Sequence, residues 1–576
     1  MSPNDNDQGS EHSRSEPSDD AGGPETGLVP GGLDMGDFLG SMAAVLTRAA
    51  MQPAAFTAAS VRFGANLAQI GPAAFSRLLG HPARSPVPAD PKDRRFADPA
   101  WEKNPAFFAL RQGYLAARQF GEELLAAGEA DPVADGKARF VGGLLGDALA
   151  PTNYLLTNPA ALKRAFETGG ASVLAGARNF ADDLAHNHGR PQQVDRSSFT
   201  LGENLAATEG QVVFRNELME LIQYAPQTKK VHAVPLLASP PWINKYYIMD
   251  LAPGRSFLEW ALQHKRTVFT ISWRNPVPSM SDVSLEDYLN DGLRTALDVV
   301  ADITGAEQAD VVGLCLGGAL AAMLAAHMAA TGEKRIKSLT LLNTLLDYSR
   351  PGILGNFTDE QTVTQLERQM AETGVLDGAQ MATTFDLLRA NDLIFSYVVS
   401  NWLMGESPPA FDILAWNADS TRLPAAMHSF YLRSLYMRNE LARGELTLAG
   451  QRLSLPDILS DTYVVAAVND HIVPWQASYQ TTRLLGGDVR YVLSSGGHIA
   501  GIVNPPGPKA RYEVMTEDYP PAPAEWREAA KATEGSWWED WAEWSSSRAG
   551  PLGSPPPMGG DRHPPLADAP GTYVRE

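Results

Sequence analysis

A chain of 576 residues with a single cysteine cannot hold an intrachain disulfide, and that usage fits a reducing compartment. Positive charge is also scarce. Lys and Arg number 47 against 67 Asp and Glu, giving a formal net charge of −20 and a pI near 5.0. That balance excludes nucleic acid as an expected partner. No apolar run is long enough to span a bilayer, and the first residues lack the basic and apolar stretches of a secretory signal. A cytoplasmic protein with no transmembrane segment is therefore expected. Internal repeats, zinc-spaced ligands and a nucleotide-binding glycine loop are missing too, so neither a metal nor a bound cofactor is expected. What the chain does have is 44% hydrophobic residues, enough for a large core, and a length beyond one ordinary domain.

The lone cysteine sits in Val311-Val-Gly-Leu-Cys-Leu-Gly-Gly318. Gly313-x-Cys315-x-Gly317 is the pattern of a nucleophile elbow with sulfur in place of oxygen. Ala309 to Gly313 reads as a short apolar strand and Leu316 to Ala330 as an alanine-rich helix. The glycines let strand and helix approach closely. The helix N-terminus favours a thiolate, and the N–H of Leu316 is a ready oxyanion donor. The competing reading is a buried structural cysteine in a glycine-rich turn.

In an elbow enzyme the acid and then the histidine follow the nucleophile. Asp461 to Val468 reads as a buried strand running into Asn469-Asp470-His471-Ile-Val-Pro474, which places Asp470 as the acid. Val489 to Leu493 reads as another strand, followed by Ser494-Ser-Gly-Gly-His498, which places His498 as the base. His471 is the nearest competitor for that role, although it directly follows Asp470. A strand from Val231 to Ser239 leads to Pro240-Pro-Trp-Ile243, where the N–H of Trp242 or Ile243 supplies the second oxyanion donor; Ile243 is carried forward. This order of strands, helices, acid and base predicts an α/β fold, a doubly wound α/β-hydrolase sheet.

The rest of the chain divides around that sheet. Residues 1–35 carry eight acidic residues against one Arg and are expected to be disordered. Residues 36–200 read as a helical N-terminal domain, with helices over Asp37–Met51, Pro105–Leu125 and Pro159–His186. Residues 201–545 form the expected catalytic domain. Within it, about 346–450 is far longer than an ordinary connection and rich in aromatics such as Phe385, Phe411, Tyr431 and Tyr436, so a cap over the cysteine is expected. Trp537, Trp538, Trp541 and Trp544 mark a helix packing on the core, with some exposure of their rings an open alternative. Residues 546–576, rich in Pro and Gly, are expected to be a disordered tail.

With these segments in view the chain resembles the polyhydroxyalkanoate synthases. The resemblance spans roughly 100–545 and rests on Pro240-Pro-Trp-Ile-Asn-Lys-Tyr-Tyr-Ile-Met-Asp250, Pro253-Gly-Arg-Ser256, Gly313-Leu-Cys-Leu-Gly-Gly318, Phe411-Asp-Ile-Leu-Ala-Trp-Asn417, Asp470-His-Ile-Val-Pro-Trp475 and Gly497-His-Ile-Ala-Gly-Ile-Val-Asn-Pro-Pro506. Trp242, where the family has a smaller residue, is a local departure at the oxyanion loop. The length resembles the class I type. The resemblance implies polymerisation of (R)-3-hydroxyacyl-CoA, with short acyl chains such as 3-hydroxybutyryl, and release of CoA. It implies a triad of Cys315, Asp470 and His498, and no cofactor beyond the CoA that the substrate carries. It places Arg389 at the CoA phosphates, ahead of Arg422 and Lys245, and Trp416 at the cap and dimer contact. It further implies a homodimer at the surface of polyester granules, with granule-associated proteins (phasins) as partners. A thioesterase or depolymerase of the same fold, and a non-catalytic granule protein, are the rival readings.

Overall fold

The computed structural model describes residues 35–91, 93–515 and 519–576. The disorder expected of 1–35 falls outside them, except for Met35, where the first helix begins. Among the described residues, six helices longer than one turn come first: α1 (Met35–Ala50), α2 (Pro53–Leu78), α3 (Pro105–Ala127), α4 (Pro132–Ala148), α5 (Pro159–Glu167) and α6 (Ala171–His186). Three of them start on one local device. Asn104, Asp131 and Asn158 each accept a backbone N–H of the first turn, and each is followed by proline, whose missing N–H costs nothing there. The sequence read 159–186 as one helix. Gly169 and Gly170, at φ +59° and +88°, break it into α5 and α6.

Eleven strands then build one sheet. In chain order they are β1 (Gly210–Arg215), β2 (Met219–Tyr224), β3 (Leu236–Ser239), β4 (Val268–Trp273), β5 (Ala309–Leu314), β6 (Ile336–Leu342), β7 (Asp461–Ala467), β8 (Val489–Ser494), β9 (Arg511–Val514), β10 (Lys531–Glu534) and β11 (Ala567–Asp568). Their spatial order is β10-β9-β8-β7-β6-β5-β3-β4-β2-β1-β11. The pairs from β4 through β3, β5, β6 and β7 to β8 are parallel, and the outer pairs antiparallel. Every residue of β3, β4 and β5 is buried, as a parallel sheet covered on both faces requires. The crossing of β3 and β4 and the strand–elbow–helix unit after β5 define an α/β-hydrolase sheet. Behind β5 runs α7 (Leu316–Thr331), buried from Leu316 to Met328, which explains why it is apolar all round.

Between β6 and β7 the chain leaves the sheet and forms a helical cap, with α8 (Glu360–Thr373) and α9 (Gly378–Leu388) followed by π-helical turns at Asn391–Phe395, Val398–Leu403 and Tyr431–Met437. The N-terminal helices pack on this cap. Phe38 of α1 and Phe140 of α4 meet Phe357, with ring centroids 5.1–5.7 Å apart. Lys137, 3% exposed, joins Asp37 at 2.5 Å to Asp359 at 2.7 Å. Trp402 donates its indole N–H to Asp183 of α6 at 2.7 Å.

The tail departs from expectation. Residues 546–576 run back along the sheet: Leu552–Gly553 pairs with Val231–His232, and β11 adds an edge to β1. Tyr573 and Val574 are buried, and the fully buried Glu220 accepts the N–H groups of Thr572 and Tyr573. A proline-rich composition conceals this, because the tail is held by its main chain more than by apolar side chains. Just ahead of it, α10 (Trp537–Ser546) buries Trp537, Trp538 and Trp541. These three are packing residues rather than a surface for polymer. Among the described residues, no helix is long and apolar enough to cross a membrane.

Candidate active site

Cys315 stands between β5 and α7 at φ 51°, ψ −114°, a conformation that costs a non-glycine residue about 1–3 kcal/mol. Its surroundings demand glycine. A Cβ on Gly317 would strike the backbone oxygen of Ser239, and one on Gly313 would strike Gly318. The N–H of Cys315 donates to Leu342 O at 2.8 Å, which ties the residue to β6. That leaves the N–H of Leu316, at the head of α7. Among the described residues, no backbone oxygen accepts from it, nor from the N–H of Ile243. Both residues line the cavity that Cys315 enters. Trp242 instead turns its ring into the core against Tyr288, with centroids 5.2 Å apart.

Asp470 follows β7 with its side chain fully buried. Its Oδ1 accepts the N–H groups of Ile472 and Val473, each at 2.9 Å. Its Oδ2 accepts from Nδ1 of His498 at 2.7 Å. Both carboxylate oxygens are thus engaged, and only one rotamer of each residue satisfies them all. The loop carrying His498 turns at Gly496, φ +113°. It is pinned from behind by α10: the indole N–H of Trp537 donates to Gly501 O and that of Trp538 to Ile502 O, both at 2.9 Å. The side-chain amide of Asn343 donates to the backbone oxygen of His498. Asn343 and these tryptophans position the base without touching its ring, and the motifs did not reveal them. The signal available was an asparagine directly after the β6 strand.

The imidazole shares its cavity with the Cys315 sulfur, which adds to the pull of Asp470 on its proton. Burial works against charge on His498, but Asp470 and Cys315 outweigh it, and the pKa is pushed up to about 10 from 6.5. His471 behaves in the opposite way. Burial, with help from the charge on His498 and on Arg389, pushes it down to about 4, and its buried Nδ1 has no partner. The structure therefore brings Asp470 to His498 and not to His471.

The cavity over Cys315 measures about 350 Å³. Its far wall is the cap: Tyr348, Phe385, Phe411, Trp416, Tyr431 and Tyr436. Arg389 lies on its rim, partly exposed and paired with Asp392. Arg422 lies apart, in an adjoining groove beside Arg190 and Arg196. Lys245 is withdrawn altogether: 3% exposed, it donates to backbone oxygens of the tail, so it is not a phosphate ligand at the entrance. Trp416, expected at the cap and dimer contact, is buried within this chain and donates to Lys245 O at 2.7 Å.

A buried imidazole between a carboxylate and a thiol, facing a mostly apolar cavity, can drive acyl transfer through sulfur. Comparison with known proteins agrees in family. Residues 92–261 match the family described as the N-terminus of poly-beta-hydroxybutyrate polymerase, and residues 253–505 match the α/β hydrolase fold. The chain is 42% identical to the poly(3-hydroxyalkanoate) polymerase of Methylorubrum extorquens, over 95% of this chain and 92% of that one. It is also 42% identical to polymerase 1 of Ectopseudomonas oleovorans, over 95% and 96% of the two chains. Against the polymerase subunit of Cupriavidus necator the identity is again 42%, over 84% and 83%. Likeness of this extent along nearly the whole length places the chain in the poly(3-hydroxyalkanoate) polymerase family.

Proposed function

We propose that this protein polymerises (R)-3-hydroxyacyl-CoA, with 3-hydroxybutyryl-CoA the preferred class of substrate, and releases CoA through a thioester on Cys315. The observation that carries the reading is the lone cysteine, held at a positive-φ elbow against the Asp470–His498 pair, beneath a cap of tyrosines. His498 holds the proton given up by the thiol, and Sγ attacks the thioester carbonyl carbon as the thiolate. The oxygen gains negative charge opposite the N–H groups of Leu316 and Ile243. The C–S bond to CoA breaks, and the departing thiolate takes the proton from His498. One thioester replaces another, so the acyl-enzyme stays reactive, whereas a serine would trap a more stable ester. The 3-hydroxyl of a growing chain then gives its proton to His498 and attacks an acyl thioester, forming the ester bond.

Hydrolysis competes at the same carbon, and enclosing the site is the general protection. The cap over Cys315 supports that role, and the small aromatic-walled cavity favours short acyl side chains. Arg389 on the rim is the residue proposed to meet CoA phosphate. The reading extends to a homodimer in the cytoplasm, at the surface of polyester granules with phasin-type partners. A thioesterase would share the triad, so product identity is the test. Purified protein given (R)-3-hydroxybutyryl-CoA should release CoA and form insoluble polyester, and Cys315→Ala should do neither. CoA release with only free 3-hydroxybutyrate would overturn the polymerase reading.

A further inference from the structure

The segment carrying Ile243 is gripped from two sides by groups that the reaction does not use. On one side is the cap. Thr421 donates its hydroxyl to Trp242 O at 2.9 Å, Asn244 forms a bridge with Ser420, and Trp416 donates to Lys245 O at 2.7 Å. Tyr247 adds a bond to Asp419 at 3.0 Å. On the other side is the tail. The ammonium group of Lys245 donates to the backbone oxygens of Tyr573 at 3.1 Å and Glu576 at 2.9 Å. The same stretch of tail, 572–576, is held at its start by Glu220, 0% exposed, which accepts from Thr572 N–H at 2.9 Å and Tyr573 N–H at 3.0 Å. One buried cation and one buried anion of the catalytic domain thus meet on a single short stretch of main chain.

Burying charge is costly unless each donor and acceptor is used. Glu220 also pairs with Arg215 of β1, so Lys245 is the charge that depends on the tail. Lys245 lies two residues after Ile243, and the intervening backbone has little freedom once Asn244 is bridged to Ser420. Anchoring the ammonium group to the tail therefore restrains the backbone that carries the Ile243 N–H.

We propose that Lys245 is a positioning residue. It clamps residues 572–576 against the 242–247 segment and so holds the Ile243 N–H at the point where charge develops on the thioester oxygen. This rests on the reading of Ile243 as an oxyanion donor to Cys315 chemistry. Misplacing such a donor by about 1 Å costs on the order of 10²-fold in rate.

The test compares the full chain with Lys245→Met, with a chain lacking residues 573–576, and with the two changes combined. Hydrogen exchange of peptides covering 241–248 reads the clamp, and CoA release from (R)-3-hydroxybutyryl-CoA reads its consequence. At a temperature where circular dichroism shows each variant folded, exchange in 241–248 should quicken about 10-fold or more. The kcat should fall about 10- to 100-fold with KM changed less than about twofold. The combined variant should lose no more than either alone, since both remove one contact. Unchanged exchange would overturn the clamp. Quickened exchange with unaltered kcat, or losses that multiply in the combined variant, would overturn its link to catalysis. Should Lys245→Met fail to fold, the truncated chain alone decides by the same readouts. A full chain that releases no CoA would refute the proposed function instead, and the exchange comparison would still decide the clamp.

Discussion

The imidazole Nδ1–H of His498 donates to Asp470 Oδ2 at 2.7 Å, while Asp470 Oδ1 is held by two backbone N–H groups. The carboxylate cannot rotate away without abandoning both. Asp470→Asn would present an amide N–H where an acceptor is needed, either to the backbone N–H groups or to the imidazole. The histidine would then lose its orientation and the support for its positive charge. CoA release should fall by about 10²- to 10⁴-fold, with the melting temperature little changed. The check is kcat alongside thermal unfolding. Near wild-type turnover would show that the pair is not the acid–base couple.

The same contact makes stability depend on pH. The His498 pKa rises from 6.5 to about 10 on folding. The native state therefore holds a proton that the unfolded chain gives up above about pH 6.5. Stability from this group is complete below that pH and is lost as the pH rises through about 10. Thermal unfolding from pH 6 to 10 should show the wild type losing stability more steeply than His498→Gln. Parallel profiles would contradict the charged imidazole.

Much of this was legible in the sequence, for physical reasons. Gly313 and Gly317 are fixed by steric contact, so the elbow could be read from spacing alone. Strands 309–314 and 461–467 could be read from their apolar stretches Val311–Leu314 and Tyr463–Ala467, which are apolar because both faces are covered. The tail was read wrongly, since Thr572 to Glu576 contribute backbone groups to Glu220 and Lys245, and backbone leaves no mark on composition. Lys245 itself reads as a surface cation until its burial is seen. Asn343 acts across 155 residues of sequence and the indole groups of α10 across 36, on the backbone of the His498 loop, and no local pattern encodes that. The cap was foreseen from its length and aromatics, but the π-helical turns that shape it have no periodicity to read.

The seating of the N-terminal helices on the cap concentrates in one cation. Lys137, 3% exposed, lies between Asp37 and Asp359, and its removal leaves two partly buried acids facing each other. Lys137→Met should destabilise that junction by about 3 kcal/mol. Limited proteolysis should then cut between α1 and α4 sooner than in the wild type, while the sheet stays intact. Equal cleavage rates would show that the aromatic cluster of Phe38, Phe140 and Phe357 suffices.

The proposed function requires sulfur to carry the growing chain. The protein should be mixed with (R)-3-hydroxybutyryl-CoA, quenched in acid during turnover, digested, and the peptide containing Cys315 weighed. One or more 3-hydroxybutyryl units in thioester linkage on that peptide, released by hydroxylamine, is the predicted result. CoA release with Cys315 unmodified throughout, or with the acyl group on another residue, would contradict it.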